Sequence, residues 1–180
     1  GFVETMHFVY KQKITIIPHG IPPTTFEPSE ISKEKLGLSG KTVLSTFGML
    51  SPNKGIEYAI RALPEVVSQH KNVVYLVLGE THPLIRKSDG EEYRNSLISE
   101  VKRLGLDKNI KFYNKYLTLD EIVTFLKATD IYIGPSTDMR QSVSGTLSYA
   151  MGCGRPIIST ATEYAKYLID EKVGLLVKPK

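Results

Sequence analysis

Residues 138–156 read DMRQSVSGTLSYAMGCGRP, in which small hydroxyl side chains and a glycine open a helix-forming run. A segment of this kind aims hydroxyls and backbone N–H groups at an anion. Ser142, Val143, Ser144, Gly145 and Thr146 fall at the expected start of the helix, where unpaired N–H groups and a partial positive charge favour phosphate. A second segment, TFGMLSPNKG at 46–55, ends a strand in a turn built on glycine and proline. Gly48 lets the backbone approach a ligand closely. Lys54, at the mouth of the following helix, can extend a compact positive charge into a crevice. Two such segments on one edge of a sheet fit a phosphate-bearing ligand.

The elements that must position them alternate along the chain. Strands are expected at Ile14–Ile17, Lys41–Phe47, Val73–Leu78, Ile110–Tyr113, Ile131–Ile133, Ile157–Thr160 and Gly174–Val177. Helices are expected at Gly55–Ser68, Glu91–Leu104, Leu119–Ala128 and Gly145–Met151, with a helical turn at Tyr164–Ile169. The strands lack strict polar alternation and are separated by amphipathic helices, the pattern of a parallel sheet covered on both faces. The fold class is therefore α/β, one doubly wound, Rossmann-like domain. Residues 21–28 carry three prolines and read as an extended entry. Residues 80–90 read as a long irregular loop at the ligand-binding edge of the sheet.

Other chemistries are disfavoured. No G-x-G-x-x-G follows the first strand and no G-x-x-x-x-G-K-[ST] occurs, against a dinucleotide cofactor or a P-loop nucleotide. His7, His19, His70 and His82 lie in separate segments without the spacing of metal ligands, so no metal is expected. His19 and His82 stand at expected strand ends, where each either meets a ligand or stabilises a turn. Cys153 reads as a small buried residue, and Asp130 as a local cap before its strand. A receiver-type signalling domain would need an acidic cluster where this chain has Gly48.

The chain has 180 residues, 41% of them hydrophobic, enough for one sizeable core. A net charge of +4 from 23 basic and 19 acidic residues, with a pI near 9.0, is too dispersed for a nucleic-acid arm. The single cysteine allows no internal disulfide and suits a reducing, cytoplasmic setting. No apolar run reaches the about 18 residues of a membrane span; a cytoplasmic protein, with peripheral contact at the inner face of a membrane, is the expectation. The sequence stops directly after a strand, where a covering helix is expected, as in a piece of a longer protein.

Taken in order, IPHGI, FGMLSPNKGIE, VLGE, IKFYNKY, ATDIYIGPS and GTLSYAMGCGRPIIST resemble the C-terminal, donor-binding domain of family 4 glycosyltransferases of the GT-B fold, over nearly the whole chain. Gly79–Pro83, Gly90–Arg94 and Gln141–Ala150 are similar to a mannosyltransferase-like branch that builds surface polysaccharides. The resemblance implies a retaining hexosyltransferase whose donor is a GDP- or UDP-hexose, GDP-mannose foremost, with no further cofactor. The acceptor, a glycan or lipid-linked glycan, would bind a missing N-terminal domain, without which this piece would transfer poorly. Residues 1–13 would then be the tail of that domain or an interdomain segment, and residues 14–180 the nucleotide-sugar-binding domain.

Carried over by motif, Lys54 matches the lysine on the donor diphosphate and Gly48 the glycine of the preceding turn. Met49 stands where an arginine is usual. The E-x7-E pair falls on Gln141 and Tyr149, so both carboxylates are missing. Gln141 can still hydrogen-bond a sugar hydroxyl. Tyr149 meets the ribose through its phenol or is a packed aromatic. The base is expected near Asn114 to Leu117, with Asn114 and Tyr116 as contacts. The missing carboxylates leave two alternatives: a catalytically silent nucleotide-sugar binding module, or a GT-B sugar-nucleotide hydrolase or epimerase.

Overall fold

The structure is a computed structural model that describes residues 15, 17 and 19–179. Helix α1 (Ser29–Lys35) precedes strand β1 (Thr42–Phe47), which a single 3-10 turn (Pro52–Lys54) joins to α2 (Ile56–Gln69). Strand β2 (Val73–Leu78), helices α3 (Pro83–Asp89) and α4 (Glu92–Arg103), and strand β3 (Ile110–Tyr113) follow. The chain continues through α5 (Leu119–Ala128), β4 (Ile131–Gly134), α6 (Gly145–Gly152), β5 (Ile157–Thr160), α7 (Glu163–Leu168) and β6 (Gly174–Val177). The six strands form one sheet in the order β3-β2-β1-β4-β5-β6, every pair parallel. This is the expected α/β, Rossmann-like fold.

Burial on both faces accounts for the apolar strands. Every residue of β2 is buried. Its side chains divide by the two-residue period of a strand: Val74, Leu76 and Leu78 join one core cluster, while Val73, Tyr75 and Val77 join the other. Helices α2 and α4 pack the second cluster through Ile60, Leu63, Leu97 and Val101, and α5 and α6 pack the first through Phe125, Leu126, Leu147 and Ala150.

The structure departs from expectation at several points. Residues 83–89 form a helix rather than an irregular loop. Pro83 supplies a preset backbone angle at its start, and the His82 ring accepts the Leu84 N–H at 3.2 Å. Helix α1 was not expected, since it carries few apolar residues. Lys33, on α1, is buried and paired with Glu30 and with Asp130, each at 2.8 Å. Asp130 is a long-range tie, not a local cap: it accepts Ser29 Oγ–H at 2.8 Å and the Val43 N–H at 2.7 Å. Of the expected strand at 14–17, residues 14 and 16 lie outside the described residues, and Thr15 and Ile17 belong to no strand. Among the described residues no helix is long and apolar enough to cross a membrane.

β1 turns back at Gly48 directly beside the end of β2. Gly79 has φ 133°, and a Cβ there would lie 2.2 Å from the Gly48 carbonyl oxygen. Arg94 holds the same turn from behind, its Nη2 donating to the Gly79 carbonyl at 2.8 Å. Gly79→Ala is expected to lower unfolding free energy by about 2 kcal/mol or more, since backbone strain and a backbone clash coincide. The midpoint of a urea titration measures this, and a midpoint equal to that of the unsubstituted chain would refute it.

Candidate functional site

In this strand order the connections from β1 run toward one edge of the sheet and those from β4 toward the other. The crevice outside the carboxyl ends of β1 and β4 is therefore the topological switch point, where open α/β sheets bind ligands. A recess opens there. Thr46, Tyr132, Gly134 and Ser159 come from strand ends, Lys54 from the turn before α2, and Gln141, Ser144 and Thr146 from the loop and first turn of α6.

Each wall has a local cause. Thr46 donates to the Ile133 carbonyl at 2.5 Å and bonds the Tyr75 hydroxyl at 2.7 Å, tying β1 to β4. Burial pushes the Tyr132 phenol up to about 12, against hydrogen bonds with the Thr146 side chain and the Phe47 backbone. It stays a neutral wall of the recess. Ser144 N-caps α6, accepting the Leu147 N–H at 3.4 Å. The preceding loop is docked on α7: Tyr164 donates its N–H to the Gln141 carbonyl at 3.0 Å, and Glu163 to the Met139 carbonyl at 3.1 Å. These bonds fix where Gln141 can place its amide.

The lysine turn is anchored with equal care. Gly55 has φ 62°, and a Cβ there would lie 2.1 Å from the Pro135 carbonyl oxygen. Asn53 accepts the Thr137 N–H at 2.9 Å and Ser136 Oγ–H at 3.3 Å. The loops after β1 and β4 thus fold as one unit. The Lys54 ammonium lies 3.6 Å and the Thr146 methyl 3.1 Å from the point where Gly48 would carry a Cβ, so the cation faces the first turn of α6. Burial lowers the Lys54 pKa, and among the described residues no carboxylate pairs with it. A desolvated ammonium beside a helix N-terminus has the chemistry that suits an anion.

The structure brings Lys54, Gln141, Ser144 and Thr146 together in the recess, with Gly48 on its rim and Gly145 as the first residue of α6. Ser142 and Val143 are exposed on the loop just before it. Tyr149 lies outside the recess, half-buried, its ring edge-on to Phe47 at 6.1 Å and to His19 at 5.9 Å. Asn114 and Tyr116 are exposed at the end of β3 and do not line the recess. His82 caps α3, and the thiol of buried Cys153 is raised by burial. Thr46, Tyr132, Ser159 and Thr162 were missed by sequence reasoning. In sequence Thr46, Tyr132 and Ser159 are ordinary strand residues and Thr162 an ordinary helix cap.

Comparison with known proteins finds relatives of this fold. A family model described as "Glycosyl transferases group 1" matches residues 41–180. The lipopolysaccharide core biosynthesis mannosyltransferase LpcC of Rhizobium leguminosarum bv. viciae is 24% identical over 181 aligned positions, 98% of this chain and 47% of that protein. The crystal structure of Anabaena Alr3699/HepE in complex with UDP-glucose is similar with a TM-score of 0.72 and 27% identity, covering 85% of this chain and 40% of that one. The C-terminal domain of the group 1 family protein LpcC from Francisella tularensis has a TM-score of 0.74 and 25% identity, covering 89% of this chain and 81% of that one. The chain spans about half or less of the length of the curated relatives it matches.

An unpaired, half-buried cation costs the fold stability. Because the folded-state pKa of Lys54 is lowered, the unfolded chain holds that proton more tightly, and stability without ligand rises with pH below the ordinary lysine value of 10.5. Lys54→Met should therefore be at least as thermally stable as the unsubstituted chain near neutral pH, with any advantage shrinking as pH approaches the ordinary lysine range. Thermal melts across pH decide it; a clear loss of stability in Lys54→Met at neutral pH contradicts the expectation.

Proposed function

The chain belongs to the glycosyl transferases group 1 family, and on that footing we propose that residues 14–180 are the nucleotide-sugar-binding C-terminal domain of a retaining hexosyltransferase. Residues 1–13 lead in from an N-terminal domain that binds the acceptor, a growing surface glycan or its lipid-linked form. The donor is a nucleoside diphosphate hexose, GDP-mannose before a UDP-hexose. The mannosyltransferase name of the Rhizobium relative supports mannose. The UDP-glucose held by the Anabaena neighbour supports the ligand class, and the C-terminal domain of the Francisella protein supports the domain boundary.

One observation carries the reading: the half-buried Lys54 ammonium faces the first turn of α6 and has no carboxylate partner among the described residues. As the bond from the anomeric carbon to the diphosphate breaks, negative charge gathers on the leaving oxygen. Donors fixed in advance stabilise that charge more than they stabilise the intact donor. Lys54 and the N–H groups of Gly145 and Thr146 do this, with Gly48 giving the phosphates close approach. Gln141 reaches a hexose hydroxyl with an amide that both accepts and donates. Ser142 and Val143 border the phosphates, Tyr149 lies toward the ribose, and Asn114 and Tyr116 flank the base. Among the described residues no carboxylate or imidazole lines the recess, and activation of the acceptor is assigned to the N-terminal domain. The protein acts in the cytoplasm, at the inner face of the membrane when the acceptor is lipid-linked.

The substituted E-x7-E positions raise a second reading, a binding module without transfer. Glycan product from full-length protein with labelled nucleotide sugars separates the two, and its absence favours the second. Lys54→Ala should weaken GDP, UDP and pyrophosphate by about 1.5–3 kcal/mol, the worth of a charge-assisted hydrogen bond. Calorimetry on the folded variant tests this, and unchanged affinities reject the lysine's role. Gln141→Ala should weaken GDP-mannose by about 0.5–1.5 kcal/mol and leave GDP nearly untouched. Equal losses for both ligands would mean that Gln141 reads something other than the sugar.

A further inference from the structure

We infer that His19 is a specificity-determining residue that accepts a hydrogen bond from a hydroxyl of the bound nucleotide sugar through Nε2; this rests on the nucleotide-sugar reading above. His19 comes from the entry segment, far from the recess in sequence, yet its ring lies across the first turn of α6. Its Nε2 would be 2.9 Å, and its Cε1 3.3 Å, from a Cβ on Gly145. Only the missing side chain at 145 lets the imidazole come so close. The ring is exposed on its outer side and stands edge-on to Tyr149 with centroids 5.9 Å apart. Tyr149 in turn abuts Phe47, which lines the recess.

The tautomer follows from a single contact. His19 Nδ1 lies 2.7 Å from the Gly20 carbonyl oxygen. A carbonyl can only accept, so Nδ1 carries the hydrogen and Nε2 of the neutral ring presents a lone pair. That lone pair has no partner among the described residues. It repels phosphate oxygens and suits a hydroxyl donor. Around the recess the backbone N–H groups of α6 and the Lys54 ammonium are donors suited to phosphate, and among the described residues no carboxylate lines it. Nε2 is therefore the acceptor that a ribose or hexose hydroxyl at this rim would find.

Binding of pyrophosphate, GDP, UDP, GDP-mannose and UDP-glucose to the chain, measured by calorimetry, tests the assignment. His19→Phe keeps a ring against Tyr149 but removes the acceptor. His19→Gln returns an acceptor oxygen at similar reach. His19→Phe should weaken ligands bearing the hydroxyl about two- to tenfold, the range for a neutral hydrogen bond, and leave pyrophosphate unchanged. His19→Gln should recover part of the loss. Equal loss on the nucleoside diphosphates and their sugar conjugates identifies a ribose hydroxyl; loss confined to the conjugates identifies a hexose hydroxyl. Unchanged binding of all ligands by His19→Phe, an equal loss on pyrophosphate, or no recovery in His19→Gln overturns the inference while leaving the Lys54 reading intact. Failure of the unsubstituted chain to bind any of the five overturns both.

Discussion

The contact on which the site depends is between two backbones: Gly55 against the Pro135 carbonyl, with room for no side chain between them. That approach, with the Asn53 carbonyl accepting from Thr137 and Ser136, makes one rigid body of the loops after β1 and β4. Lys54 immediately precedes Gly55. Its side chain therefore emerges from a turn whose position is set by the neighbouring strand's loop, not by the turn itself. Preorganisation of this kind lets a long, flexible lysine act as a placed charge, because little remains to be ordered when the ligand arrives.

Two desolvated lysines, Lys33 buried and Lys54 half-buried, show how the same residue type is used in opposite ways. Burial alone would lower the pKa of Lys33, but hydrogen bonds with Asp130 and Glu30 carry it above the ordinary value. That pair fastens α1 to the sheet, since Asp130 also binds the β1 backbone at Val43. Lys54 is desolvated without such a partner, and its pKa falls. An ion pair satisfied inside the fold is architecture; a desolvated cation left unmatched is a cost that deprotonation or an added anion would relieve.

The periodic elements were legible because their signal is local. The apolar run of β2 and the amphipathic patterns of α2 and α5 are each local, and the βα alternation gave the parallel sheet. Legibility failed where a distant partner decides the conformation. Helix α1 has little apolar surface and is held through Lys33 and Asp130. Helix α3 begins at a histidine cap and is steadied by Arg86, which reaches Glu80 and Glu91. Asp130 looked like a local cap because nothing adjacent in sequence reveals that Ser29 and Val43 will come within hydrogen-bonding distance.

The candidate site divides along the same line. Sequence alone marked two segments as rich in hydrogen-bond donors, because a lysine at a glycine-rich βα turn and a hydroxyl-rich helix start carry donors whatever surrounds them. It also determined the α/β layering, through the spacing of apolar runs. Only the tertiary structure decided that these segments face one another across the switch point and that Gln141 is oriented by Tyr164. It alone placed Tyr149 among aromatic rings rather than in the recess, and carried His19 across to the start of α6. The reason is physical: donor and acceptor capacity resides in a residue's own atoms, whereas burial, mutual distance and the direction of a side chain exist only once the strands are ordered.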